Sequence, residues 1–89
     1  MKAIITVIGG DKVGIIAKVS NCLAEGGINI EDVNQTIMGG HFTMMMLVDF
    51  KNAKVAFDEV RSELKQIGKS LELSVRIQRE EIFQSMHQL

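Results

Sequence analysis

The sequence predicts an α+β domain: a four-stranded antiparallel sheet with two helices on one face and a short helix after the last strand. Three observations predict it. Segments with strand-like and helix-like spacing succeed one another in the order βαββαβ. Glycine pairs at Gly9-Gly10, Gly26-Gly27 and Gly39-Gly40 punctuate them. Finally, two strand-helix-strand halves joined by right-handed crossovers place both helices on one side of the sheet, with strands one and three in the middle. That arrangement is the ferredoxin-like sandwich.

From Lys2 to Ile8 apolar residues occupy both alternating faces, the pattern of a central strand covered on both sides. Ile4 and Ile8 are assigned to the helix-covered face, which leaves Ile5 and Val7, with Met45 and Leu47 of strand three, on the open one. An apolar patch of that kind calls for a cover, either a second subunit or the C-terminal helix.

Asp11 can cap the first helix, in which Ile15, Ile16, Val19, Cys22 and Leu23 recur at helical spacing, and Gly26-Gly27 ends it in the left-handed conformation. The second strand, from Ile28 to Met38, alternates through Ile28 and Ile30 and then resumes through Val33, Gln35 and Ile37, so a bulge is expected near Glu31-Asp32. Gly39-Gly40 turns the chain into strand three, where Phe42, Met44, Met46, Val48 and Phe50 share a face.

Asn52 is the expected N-cap of the second helix. Ala53, Phe57, Val60, Leu64 and Ile67 form its apolar stripe, Lys54, Asp58, Arg61, Glu63 and Lys65 its wet face, and Gly68 its stop. Residues Ser70 to Gln78 then alternate, with Leu71, Leu73, Val75 and Ile77 inward, as an edge strand with one wet face does. The remainder, Arg79 to Leu89, carries Ile82, Phe83, Met86 and Leu89 on one helical side, and a helix so short needs a partner surface.

Composition narrows the function. Ten Lys and Arg balance eleven Asp and Glu, for a net charge of -1, which gives no electrostatic reason to bind nucleic acid or an anionic membrane. Aromatic residues make up 4% of the chain and none is Tyr or Trp, so base-stacking RNA recognition is excluded too. A single cysteine, Cys22, closes no internal disulfide and supplies no paired-cysteine metal loop; it reads as a buried small hydrophobe in a reducing compartment. The apolar N-terminal run is too short to span a bilayer, and the expected location is the cytoplasm. His41 and His87 lack partners at a metal-ligand spacing, so no metal and no cofactor are expected. In 89 residues the buried core is limited, and dimerisation is the expected supplement to stability.

The most unusual local sequence is Gly9-Gly10-Asp11-Lys12-Val13-Gly14-Ile15, where strand one hands over to helix one. Free N–H groups of a first helical turn carry partial positive charge and receive carboxylates or phosphates. Glycines there would let a carboxylate approach the backbone while Asp11 or Asn29 receives an ammonium group. The competing reading is that the glycines only turn the chain, Asp11 only caps, and Gly14 only admits the helix to the sheet.

The string from Thr6 to Ile30 resembles the ACT domain. It carries a hydrophobic strand, then Asp11-Lys12-Val13-Gly14-Ile15, a helix, and the more specific Leu23-Ala24-Glu25-Gly26-Gly27-Ile28-Asn29-Ile30. With Asn29 to Val33 and Met38 to Val48, the chain also looks like stand-alone ACT proteins related to the glycine cleavage system transcriptional repressor, and like a bacterial group of single ACT domains, UPF0237. The resemblance covers residues 1–78 and leaves 79–89 as a helical extension.

It implies a non-catalytic, regulatory module that binds an amino acid or similar effector, usually between two such domains. The site residues it implies are Gly10, Asp11, Lys12, Val13, Gly14 and Ile15 in the loop, with Asn29 and Ile30 opposite. Many family members have Pro at the position of Val13, which implies a less rigid loop and a different ligand here. Repressor-like relatives carry two ACT domains, so a single one is expected to pair with a copy of itself or with another protein. The alternative is a ligand-free interaction module for an enzyme or regulator. An acylphosphatase, which shares the strand order, would need a catalytic Arg in this loop, and the loop has none.

Overall fold

The computed structural model describes residues 1–10 and 14–82. The elements run β1 (Lys2–Gly9), α1 (Ile15–Glu25), β2 (Asn29–Met38), β3 (His41–Asp49), α2 (Phe57–Leu71) and β4 (Ser74–Arg79), and residues 80–82 leave β4 as a helical turn. The sheet order is β2-β3-β1-β4, every neighbouring pair antiparallel, with β1 and β3 in the middle as expected. The part of the expected C-terminal helix at 83–89 lies outside the described residues.

Cross-strand pairing decides which face of β1 is the core. Ile5 pairs with Met46 and Val7 with Met44, and all four are buried beneath the helices together with Ala3 and Val48. This corrects the expected facing of β1. Both of its faces are apolar, so alternation alone cannot choose between them. The open face carries Ile4, Thr6 and Ile8 beside Met45 and Leu47, and Ile8 remains 46% exposed. From the other side α1 contributes Ile15, Val19, Cys22 and Leu23, and α2 contributes Val60 and Leu64.

Both helices end in the same hydrogen-bond pattern. At α1, Gly27 N–H reaches Ala24 O at 3.1 Å and Ile28 N–H reaches Leu23 O at 2.9 Å, with Gly27 at φ 71°. At α2 the left-handed residue is Glu72, φ 59°, and Leu73 N–H donates to Gly68 O at 2.8 Å. Pairs of this kind satisfy the last orphan carbonyls of a helix. Gly68 therefore does not stop α2. A Cβ on it would stand 2.8 Å from Leu73 O and 2.9 Å from Val75 Cγ2, so its missing side chain lets the helix lie against β4. The helix continues to Leu71, and the last strand accordingly starts at Ser74 rather than Ser70.

The expected cap at Asn52 is likewise displaced. Residues 51–56 form turns tied to α1 by Lys54 N–H donating to Gly26 O at 2.7 Å, and the helix begins after Ala56. Asp58 and Glu59 in its first turn complement the helix dipole. The Gly39-Gly40 turn has φ of 57° and 82°, the doubly left-handed geometry of a tight hairpin. A bulge falls where expected, for Ile30 pairs with Val48 and Asp32 with Leu47, leaving Glu31 extra.

Candidate functional site

The loop half of the predicted site forms at the C-terminal end of β1. Gly10 is exposed, and nothing stands within 4 Å of where its Cβ would be. Asp11, Lys12 and Val13 lie outside the described residues. Gly14 takes the N-cap position of α1 at φ 90°, ψ -4°, a conformation open to glycine and strained for other residues, so the backbone alone accounts for its identity. No described side chain caps the helix, its first turn has no acidic residue, and its first described bond is Lys18 N–H to Gly14 O at 3.0 Å. The N–H groups of Ile15, Ile16 and Ala17 precede that bond and, by helix geometry, have no intrahelical acceptor. Ile15 is buried, so its side chain belongs to the core and is closed to a ligand.

The other half stands elsewhere. Asn29 opens β2 with its side chain exposed, followed by the half-buried Ile30. Asn29 pairs with Asp49, which also pairs with Lys2; Gly9 pairs with Phe42, which also pairs with Ile37. Seven steps of β3 separate Asp49 from Phe42, roughly 23 Å at about 3.3 Å per residue. Within one chain, Asn29 and Ile30 are therefore at the opposite end of the sheet from Gly10 and Gly14. The sequence pattern singled out both stretches but could not show this separation, which depends on strand register.

Among the described residues, no further strand pairs with the outer edge of β2, which joins those two ends. Along β2, Val33 and Ile37 lie on the helix side of the sheet, paired with Met46 and Phe42, yet they are 42% and 74% exposed because neither helix reaches over them. Of the two helices, α1 packs toward β2 and α2 toward β4. Glu31, at the bulge, accepts from Lys2 Nζ at 2.9 Å, and this hydrogen bond and ion pair raise the Lys2 pKa.

The remaining reactive side chains are one thiol and two imidazoles. Cys22 is buried, its Sγ 3.1 Å from Glu63 Oε2 and donating to it; burial first, then that hydrogen bond, push the thiol pKa up to about 12. Such a thiol is a poor nucleophile at neutral pH. His41 is exposed beside the hairpin turn, and His87 lies outside the described residues. Among the described residues no three His, Cys, Asp or Glu side chains gather as a metal site, no helix is long and apolar enough to cross a membrane, and no polar or charged residue is buried.

Residues 2–78 match the family model of the ACT domain. Over all 89 residues the chain is 58% identical to a UPF0237 protein of Clostridium acetobutylicum, with 100% of each covered. The structure of an ACT domain protein from Streptococcus pneumoniae superposes with a TM-score of 0.80 at 46% identity, covering 93% of each chain. A structure assigned to the glycine cleavage system transcriptional repressor superposes with a TM-score of 0.75 at 27% identity, over 88% of this chain and 44% of that one.

Proposed function

The chain belongs to the ACT domain family and, within it, to the UPF0237 proteins; from that premise we propose that it is a cytoplasmic regulatory module which binds an amino acid or similar small effector between two copies of itself. One observation carries this reading. The loop half and the Asn29 half of the site are at opposite ends of one sheet, so a ligand can touch both only if a second chain supplies one of them.

The uncovered β2 edge supplies a way. Antiparallel pairing of β2 with its copy, centred near Val33, sets the Asn29 of one chain opposite Ile37 of the other, to within the one residue the bulge adds. Ile37 is level with the end of β1, where the Gly10 to Gly14 loop departs. In that register Glu31 faces Gln35 and Asp32 faces Asn34, so no like charges oppose each other. The exposed Val33 and Ile37 become buried, and the two-fold axis generates two identical sites. An amino acid fits the chemistry of each: its carboxylate meets the free N–H groups at the start of α1, and its ammonium meets the Asn29 amide oxygen with Asp11.

Binding without catalysis suits the same groups. The one thiol is held protonated by its surroundings, and Lys12 is the loop's single cationic side chain. The experiment is a thermal melt of the purified protein against the proteinogenic amino acids at millimolar concentration, because ligand at a hundred times its Kd stabilises by about 2.7 kcal/mol. A raised Tm with one or two of them identifies the effector. A flat panel from a folded dimer would replace this reading with the ligand-free interaction module.

A further inference from the structure

The opposite edge of the sheet has a different chemistry. Between α2 and the edge of β4, which pairs with no further strand among the described residues, runs an open groove of about 690 Å³ with an apolar floor of Leu73, Val75 and Ile77. Its helix rim carries Arg61, Lys65 and Lys69, and its sheet rim carries Arg76. All four cations are exposed. Arg61 shares its charge with Asp58 at 2.9 Å, whereas Lys65, Lys69 and Arg76 have no ion pair among the described residues. The chain as a whole is close to neutral, and four of its ten Lys and Arg line this groove.

We infer that this groove accepts an extended acidic segment of another protein, added to β4 as a fifth strand. The edge of a sheet presents unpaired N–H and C=O groups, and a strand that pairs with them gains affinity from its main chain and specificity from alternate side chains. The charge spacing suits that occupant. Arg61, Lys65 and Lys69 recur every fourth residue of α2, about 6 Å apart along the axis. Alternate residues of a strand recur about every 6.7 Å. Acidic side chains at every second position of the added strand thus meet the three helix cations in turn.

Compact anions and nucleic acid fit less well. The helix cations form a row about 12 Å long rather than a cradle, and among the described residues no polar side chain is buried to hold a phosphate and no aromatic side chain lines the groove to stack a base. A second copy's β4 is disfavoured because the same cations would face one another. This site is separate from the β2 edge, so its success or failure leaves the effector-binding proposal untouched.

The test is fluorescence anisotropy of the full chain with a labelled, blocked nonapeptide, Thr-Glu-Val-Glu-Val-Glu-Val-Glu-Thr. Two companions are a Lys-for-Glu version and a version with Pro at the central Val and an N-methyl group on the next Glu, which keeps the charge but removes a main-chain donor on whichever edge of the strand faces β4. Saturable binding of the Glu peptide is expected, with no binding of the Lys peptide. The Pro substitution and, separately, Lys65→Glu with Lys69→Glu in the protein should each weaken it about tenfold or more, the melting temperature of the protein variant staying unchanged. No binding of the Glu peptide would overturn the inference. So would equal affinity for the Pro peptide, or tighter binding of inorganic polyphosphate or a single-stranded oligonucleotide, since either would mark a general polyanion surface.

Discussion

Gly9 and Asn29 stand at opposite ends of the same sheet: across β3, Gly9 is level with Phe42 and Asn29 with Asp49. Gly10 and Gly14 therefore stand apart from Asn29 and Ile30 within one chain. This separation turns a question about ligand binding into one about assembly. If Asn29 and the Gly10 to Gly14 loop serve one ligand, the dimer is part of the site rather than an accessory to it.

Disrupting the β2 edge should abolish both properties together. Val33 and Ile37 are 42% and 74% exposed in the single chain, so Val33→Lys with Ile37→Lys costs the monomer little. The double variant should sediment as a folded monomer and show no effector-induced rise in Tm. A double variant that remains dimeric would remove β2 from the interface.

Two substitutions at the end of α2 should act in opposite directions. Gly68→Ala would normally stabilise a helix by about 0.5–1 kcal/mol. Here its Cβ would meet Leu73 O at 2.8 Å, part of the backbone, and the variant should lose about 1–3 kcal/mol. Glu72→Gly relieves a left-handed conformation, φ 59°, at an exposed position and should gain about 1 kcal/mol. Urea titrations of both variants check the signs.

The Cys22 thiol should be inert at neutral pH and couple to stability only in alkali. Its pKa rises from the ordinary 9.0 to about 12, chiefly through burial and then through the Glu63 hydrogen bond. A folded-state pKa above the unfolded one contributes stability that is fully present below about pH 9 and is lost as the pH rises toward 12. Native protein should react with iodoacetamide at pH 8 far more slowly than urea-unfolded protein. Denaturant midpoints measured from pH 8 to 11 should fall less in Cys22→Ala than in the parent. Rapid labelling of the native thiol would contradict its burial beside Glu63.

Much of this architecture was legible because local pattern and tertiary environment agree. From Phe42 to Phe50 one face of the strand is consistently apolar, and that face is the core. The extra residue in β2 announced itself as a change of alternation at Glu31-Asp32. Where several environments share one local pattern, the reading failed. Residues Lys2 to Ile8 are apolar on both faces, and only the pairing of Ile5 with Met46 assigns them. Gly68 carries the local signature of a helix stop, but its cause is long-range, the backbone of Leu73 pressed against it. Arg61 and Lys65 fit the description of a solvated helix face; that a free strand edge lies beside them is a consequence of sheet order. The site followed the same rule, for Gly10, Gly14, Asn29 and Ile30 each stood out within a short string, while the distance between them depended on the register of β3.

The most direct test is subunit complementation. Asp11→Ala and Asn29→Ala chains are prepared separately, and each is titrated calorimetrically with the amino acid that raises the wild-type Tm; neither should bind it. The two are then unfolded together, refolded at equal concentrations and titrated again. A site built from two chains predicts recovery of about a quarter of the wild-type stoichiometry at near wild-type affinity, since half the dimers are mixed and each mixed dimer holds one intact site. A mixture that binds no better than its separate components would contradict the account.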